Sequence, residues 1–463
     1  MRIAIILSAI PSLALLGCTH LPVSQTNPAS AIATSFVLLG DQGQAVARVV
    51  TQGAQCPNLV LDGQTTPMQV RAPAGTAALR KTVFPPEMTK PSAFPLLTCE
   101  LTLPAGTKQA LLQGKPLPLP AANITRIVVI GDTGCRIAGE AIQNCNDAAQ
   151  FPFAKVAAAA ARWKPQLVLH VGDYHYRETA CPANTAWCAG SPWGYGWDAW
   201  QADFFQPAQA LLQAAPWVMA RGNHESCARA GQGWYRWLDT KPLQAGHDCN
   251  LASDDEKGDY NDPFAVKLGQ DAQILVFDSS KVTNTALPAG SPMFAKFAEN
   301  YRKLEQLANQ AKFNFAVSHH PILGMYVQAK DDGSIKIHPG NQALQSVFAS
   351  QNAKLIPAPI QAWLAGHVHI WQQVGFSSDH PSAFISGIAG SSLDVAGLPE
   401  VLPPGTSAAP GAVINSHASY NQGFGFMTME RDGASHWQIK LWDVDGKLLK
   451  SCELEGRASR CKN

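Results

Sequence analysis

Five short segments of this 463-residue chain carry side chains suited to holding metal ions: Gly131-Asp132-Thr133-Gly134, Gly172-Asp173-Tyr174-His175-Tyr176, Gly222-Asn223-His224-Glu225, Ser318-His319-His320-Pro321 and Gly366-His367-Val368-His369. Taken singly, a Gly-Asp after a strand is an ordinary turn and a lone histidine an ordinary core or surface residue. Jointly they are an inventory of carboxylates, an amide oxygen, a phenol and imidazoles, which suits borderline or hard divalent and trivalent ions. One carboxylate can bridge two such ions roughly 3.5–4 Å apart, the arrangement used for phosphoryl displacement. The glycines let the backbone turn sharply and keep ligands close. A Gly-His-x-His pair on an extended segment would put both rings on one side, because the side-chain period there is two.

The elements that must position these residues are legible in the apolar pattern. Arg126–Ile130, Gln166–Val171, Pro216–Ala220, Gln273–Phe277, Phe313–Val317 and Gln361–Ala365 are apolar runs of strand length, and each leads into a motif or a strand-end carboxylate. An Ala-rich stretch from Phe153 to Trp163 and stretches near 294–311 and 341–350 read as helices. Buried strands alternating with helices predict α/β layers, with functional groups just past the strand ends. Ahead of them, residues 35–113 hold short β-leaning runs punctuated by Gly and Pro, as in a small β-sandwich. Residues 114–123 read as a Pro-rich linker, and 124–463 as the catalytic domain.

The motif order GD-x-G, GD-x-x-Y, GNH, an HxP element and GHxH resembles the calcineurin-like metallophosphoesterases, and Tyr176, three residues after Asp173, resembles the ligand tyrosine of their purple acid phosphatase branch. The resemblance covers roughly residues 124–445. It implies a four-layer α/β/β/α sandwich and two metal ions. Asp132, Asp173, Tyr176 and His369 would hold Fe(III); Asp173, Asn223, His319 and His367 would hold a divalent Fe, Zn or Mn, with Asp173 as the bridge. His224 would protonate the leaving alkoxide or donate to the phosphate, and a metal-bound hydroxide would attack. Two departures from the plant and animal purple enzymes stand out. Thr133 replaces a usual Trp, and His320 stands where Tyr usually follows the ligand histidine, either reaching the substrate phosphate or packing behind the ligands.

Around the motifs, His175 is expected to alternate away from the ligands, in a supporting or surface place. Segment 177–200 carries Cys181, Cys188, Trp187, Trp193, Trp197 and Trp200, and reads either as an aromatic wall of the substrate cleft or as an insertion packed on the domain. Asp278 reads as a turn cap.

Composition narrows the setting. With 46% hydrophobic residues and 15% charged, the chain can bury a large core. With 35 Lys+Arg against 34 Asp+Glu and no basic run, nucleic acid is not an expected partner. Residues 1–17 read as a signal peptide ending Leu15-Leu16-Gly17-Cys18, which resembles a bacterial lipoprotein box. Lipid on Cys18 would anchor the protein through a tether at 18–34, and Thr19 favours the outer membrane by resemblance to the enteric sorting rule. Of 11 cysteines, removing Cys18 leaves ten, an even number that reads as disulfides in an oxidising compartment. Local pairing gives 56–99, 135–145, 181–188, 227–249 and 452–461. The expected function is an exported hydrolase of small phosphate monoesters, the alternative a phosphodiesterase with the same metals. A non-enzymatic surface protein is the third reading, and the occupied ligand positions speak against it.

Overall fold

The protein is described by a computed structural model over residues 31–462. The expected signal peptide, Cys18 and the tether up to residue 30 lie outside the described residues. β1 (Ile32–Leu39) already opens inside the stretch expected as tether.

Strands β2 (Arg126–Ile130), β3 (Leu167–His170) and β4 (Trp217–Met219) follow the expected runs, with helix α1 (Phe153–Arg162) crossing between β2 and β3. Further along come β5 (Ala272–Val276), α2 (Pro292–Ala308), β6 (Phe313–Val317), the hairpin β7 (Tyr326–Ala329) and β8 (Ile335–His338), α3 (Gln342–Gln351) and β9 (Ile360–Ala365). The ends of the helices have sequence causes. Ser291 caps α2 by accepting from Phe294 N–H, with Pro292 in the first turn, and Asn341 caps α3 by accepting from Leu344 N–H.

Two sheets form the middle layers. β2, β3, β4 and β1 are adjacent parallel strands at the centre of an 11-stranded sheet. β5, β6 and β9 are parallel neighbours in a seven-stranded sheet. Strand alternation explains the layering. In β2, Ile127 and Val129 join the core shared by both sheets, while Val128 and Ile130 face α1 and the tryptophans on the outer side. In β6, Phe315 and Val317 face inward, and Ala316 faces the layer of α2 and α3. The result is helix, sheet, sheet, helix. Burying a large apolar side chain fully in such a core contributes about 1.5–3 kcal/mol.

The N-terminal β-rich residues are not confined to a sheet of their own. β1 with Ala45–Thr51, Leu97–Thr102 and Gln69–Ala72 extends the large sheet, through the β1–β4 pairing at Leu38 and Trp217. A second, four-stranded sheet joins Asn58–Leu61, Gln64–Pro67, Ala110–Leu112 and Lys115–Pro116. The Pro-rich stretch expected as linker therefore begins as a strand, and Leu117 after it is buried in the core between the sheets.

All five local cysteine pairs are bonded: Cys56–Cys99, Cys135–Cys145, Cys181–Cys188, Cys227–Cys249 and Cys452–Cys461. No helix among the described residues is long and apolar enough to cross a membrane.

Candidate metal centre

The loops after β2, β3, β4, β6 and β9 bring Asp132, Asp173, Tyr176, Asn223, His319, His367 and His369 together. Tyr176 Oη lies 2.9 Å from Asp132 Oδ1, Asp173 Oδ2 and His369 Nε2. Asn223 Oδ1 lies 3.0 Å from both His319 Nε2 and His367 Nδ1, and His319 Nε2 is 3.0 Å from Asp173 Oδ2. Asp173, His319 and His367 offer ligand atoms that all lie within 4.8 Å of one another. Asp173 touches both groups, the place expected of a bridge.

The backbone reaches this geometry by unusual means. Asp132, Asp173 and His367 themselves take left-handed φ values of 56°, 60° and 70°, a conformation that Asp tolerates better than most residues. The glycines serve mainly close approach. A Cβ on Gly222 would sit 2.0 Å from Asp173 Oδ1, and one on Gly366 2.5 Å from Asp132 Oδ2. The Gly-His-x-His segment is not extended. The left-handed turn at His367 sends its ring toward Asn223 and that of His369 toward Tyr176, so the two rings serve different ends of the cluster.

The donor set fits cations. Backbone carbonyls fix two imidazoles, since a carbonyl only accepts. His319 Nδ1–H donates to Val171 O at 3.0 Å and His369 Nδ1–H to Ser392 O at 2.6 Å. Their Nε2 atoms then face carboxylate, amide and phenol oxygens. Burial, with Asp132 and Asp173 beside it, holds the Tyr176 phenol well above its ordinary pKa. Its one proton meets three acceptor atoms at equal distance. Burial alone would lower the pKa of His319, but Asp173 and then Asp132 raise it to about 9. Electron-rich atoms converging this way, with ring orientations fixed from behind, are what metal ligation requires.

The His224 ring packs tilted against Tyr176, ring centroids 4.0 Å apart, and the His224 backbone N–H donates to Asp173 Oδ1 at 2.9 Å. Burial and the Arg229 charge hold its pKa well below the ordinary value, so the ring is neutral. Arg229 Nη2 approaches both ring nitrogens at 2.8 and 2.9 Å and is itself gripped by Glu178 at 2.6 and 2.5 Å. The His320 ring packs 4.2 Å from the His367 ring and is fixed by Ser279, whose Oγ accepts from the His320 backbone N–H and lies 3.1 Å from Nδ1.

Other expectations resolve as packing. His175 is fully buried, not at the surface, and its ring nitrogens have no hydrogen-bond partner among the described residues. Trp197 and Trp200 lie buried in the outer core with Trp237, whereas Trp187 is exposed. Asp278 caps a turn, accepting from Ser280 N–H at 2.9 Å. Residues to which the sequence reading assigns no role hold the site together. Glu225 accepts from the N–H groups of Asp173, Tyr174, His175 and Gly222 at 2.9–3.2 Å. Asp203 accepts from those of Cys135, Tyr176 and Arg177 and pairs with the Arg177 side chain. Glu225 directly follows the Gly-Asn-His motif, which could have pointed to it; Asp203 stands 27 residues from Tyr176 and no motif marks it.

Residues 125–371 match the sequence profile of the calcineurin-like phosphoesterases. Among solved structures, purple acid phosphatase PPD1 from yellow lupin seeds superposes with a TM-score of 0.56 at 15% identity, over 93% of this chain and 75% of that one. PhoD superposes with a TM-score of 0.51 at 12% identity, over 93% of this chain and 91% of that one. At these identities the likeness is one of fold. A comparison with curated protein sequences finds no match.

Proposed function

This chain belongs to the calcineurin-like phosphoesterase family, a family of metal-dependent phosphoesterases, and on that premise we propose that it is an exported hydrolase of phosphate monoesters with a binuclear centre. The observation that carries the proposal is the convergence of seven ligand-type side chains, two of whose imidazoles are aimed inward by backbone carbonyls. Asp132, Asp173, Tyr176 and His369 would hold one ion, Fe(III) if the tyrosine acts as phenolate. Asp173, Asn223, His319 and His367 would hold a divalent Fe, Zn or Mn. Two cations there would supply Lewis acidity to the phosphoryl oxygens and an acidified water as nucleophile.

The chain's own groups do the rest. His224, neutral and backed by Arg229 and Glu178, offers a ring N–H to the leaving oxygen or a phosphoryl oxygen. His320, held by Ser279 beside His367, supports that ligand and borders the substrate. A cleft of about 360 Å³ opens from His367, lined by Met325, Tyr326, His338, Val368 and Asp394 among others. The Tyr326 and His338 rings stack at 4.4 Å, giving a flat wall. Among the described residues no Lys or Arg lines this cleft, so it suits an uncharged leaving group. The same room favours a second reading, phosphodiester hydrolysis with both ester groups accommodated.

Cys18 and the five disulfides support an envelope location, with a lipid anchor in the outer membrane. β1 runs parallel to β4, so Ile32 lies at the end of these strands opposite the ligand loops. The test is hydrolysis of p-nitrophenyl phosphate against bis-p-nitrophenyl phosphate across acidic to neutral pH. Preference for the monoester is expected. Preference for the diester overturns the monoester assignment, and turnover of neither counts against the enzyme.

A further inference from the structure

The buried arginines among the described residues are committed to carboxylates, as is half-buried Arg229. Arg48 and Arg71 share Glu100, Arg177 grips Asp203, Arg221 pairs with Asp259 and Arg229 with Glu178. Arg136, half-buried four residues past Asp132, has no such carboxylate. Its guanidinium makes no hydrogen bond or ion pair among the described residues, and its buried Nε is without a partner. Its backbone, by contrast, is fixed on both sides. Arg136 N–H donates to Gln143 Oε1 at 3.0 Å, its carbonyl accepts from Gln143 N–H at 2.8 Å, and the Cys135–Cys145 disulfide closes the same loop.

The guanidinium is held over the face of Tyr176, 5.2 Å from the ring centroid. Its charge is felt by Tyr176, His224 and His369 together, which places it at the Asp132–Tyr176–His369 end of the cluster. A cation–π contact uses the flat face of a guanidinium and leaves its N–H edge free to donate. A half-buried, uncommitted donor fork beside a centre that handles phosphoryl groups matches the oxygens of phosphate in geometry and charge.

We infer that Arg136 binds the phosphoryl group of the substrate and biases the centre toward dianionic monoesters over monoanionic diesters. This rests on the phosphoesterase reading above. A monoester presents one more negative charge and one more unesterified oxygen than a diester, so a fixed cation outside the metal ligands discriminates between them.

The experiment compares the full-length, metal-loaded chain with Arg136→Met, which keeps the aliphatic stem over Tyr176, and Arg136→Lys, which restores the charge. Binding of inorganic phosphate by calorimetry is read alongside kcat and KM for p-nitrophenyl phosphate and bis-p-nitrophenyl phosphate. For Arg136→Met we expect phosphate binding weaker by about tenfold, the loss of one charge-assisted hydrogen bond. The monoester-to-diester ratio of kcat/KM should fall by a similar factor, mainly through KM, with thermal stability and metal content unchanged. Arg136→Lys should recover part of the loss. Unchanged phosphate affinity and an unchanged ratio would overturn the inference, as would an equal fall for both esters accompanied by metal loss, which marks a structural role. If wild type hydrolyses neither ester, the functional reading fails instead, and the phosphate titration still decides whether Arg136 binds the anion.

Discussion

The two sheets meet at the centre with different chemistry. The loops after β2, β3 and β4 supply every oxygen donor, Asp132, Asp173, Tyr176 and Asn223. The loops after β6 and β9 supply imidazoles alone, His319, His367 and His369, with His320 beside them. Bracing is as one-sided as the chemistry. Cys135–Cys145, Cys181–Cys188 and Cys227–Cys249 each follow a first-sheet motif within a few residues, and the buried carboxylates of Glu225 and Asp203 gather first-sheet backbone. No disulfide among the described residues lies in the loops that leave β6 or β9, and the His319 and His369 rings there are aimed by the carbonyls of Val171 and Ser392. Two carboxylates packed against a phenol repel one another until cations arrive, so the oxygen side needs restraint. Imidazoles need only orientation. The oxygen side therefore carries the charge of the centre, and the nitrogen side carries its response to pH.

The largest effect should come from the group that touches both ends. Asp173→Asn is expected to lose metal and to reduce hydrolysis by about a thousandfold or more, because the charge that organises both ions is gone. Retention of most metal and activity would break the assignment of Asp173 as bridge. Next is the bracing itself. Glu225→Ala leaves buried N–H groups of the Asp173 loop without an acceptor, and should cost about 3–5 kcal/mol of stability. A thermal melt of the metal-free protein would show it, and an unchanged melt would mean that the loop holds itself. The smallest of these effects is confined to the nitrogen side. In the metal-free protein His319 keeps a proton up to about pH 9, because Asp173 and Asp132 outweigh the effect of burial. Metal must displace that proton, so affinity should rise by up to about tenfold per pH unit between 7 and 9 and level off above. Calorimetric titrations in buffers of different ionisation enthalpy should show proton release near pH 7, and a pH-independent affinity would contradict it.

How much of this is legible in the sequence follows the same division. The apolar runs mark β2, β3, β4, β5, β6 and β9 because strands buried on both faces need no alternation, and the polar residue that ends each run is then conspicuous. The ligand types can be read for that reason. Their directions cannot, since the left-handed turn at His367 overrides the period of two that an extended Gly-His-Val-His would obey. The tryptophans of 177–200 follow Tyr176 directly, yet Trp197 and Trp200 turn into the outer core, where burying a large ring outweighs proximity to the site. The Pro-rich stretch near Lys115 pairs as a strand at a sheet edge, where a missing N–H is tolerated. Asp203 and Arg229 act on backbone or on other side chains across the fold, and no spacing rule announces them, whereas Glu225 stands next to the Gly-Asn-His motif.

The measurement closest to the central claim is the metal content of the full chain, purified with its disulfides intact, for wild type and Asp173→Asn in parallel. We expect two ions per wild-type chain and at most one in the variant, with hydrolysis of p-nitrophenyl phosphate lost in step. A wild-type chain without bound metal under conditions where it turns over the ester, or a variant that keeps both ions and full turnover, would contradict a binuclear centre bridged by Asp173.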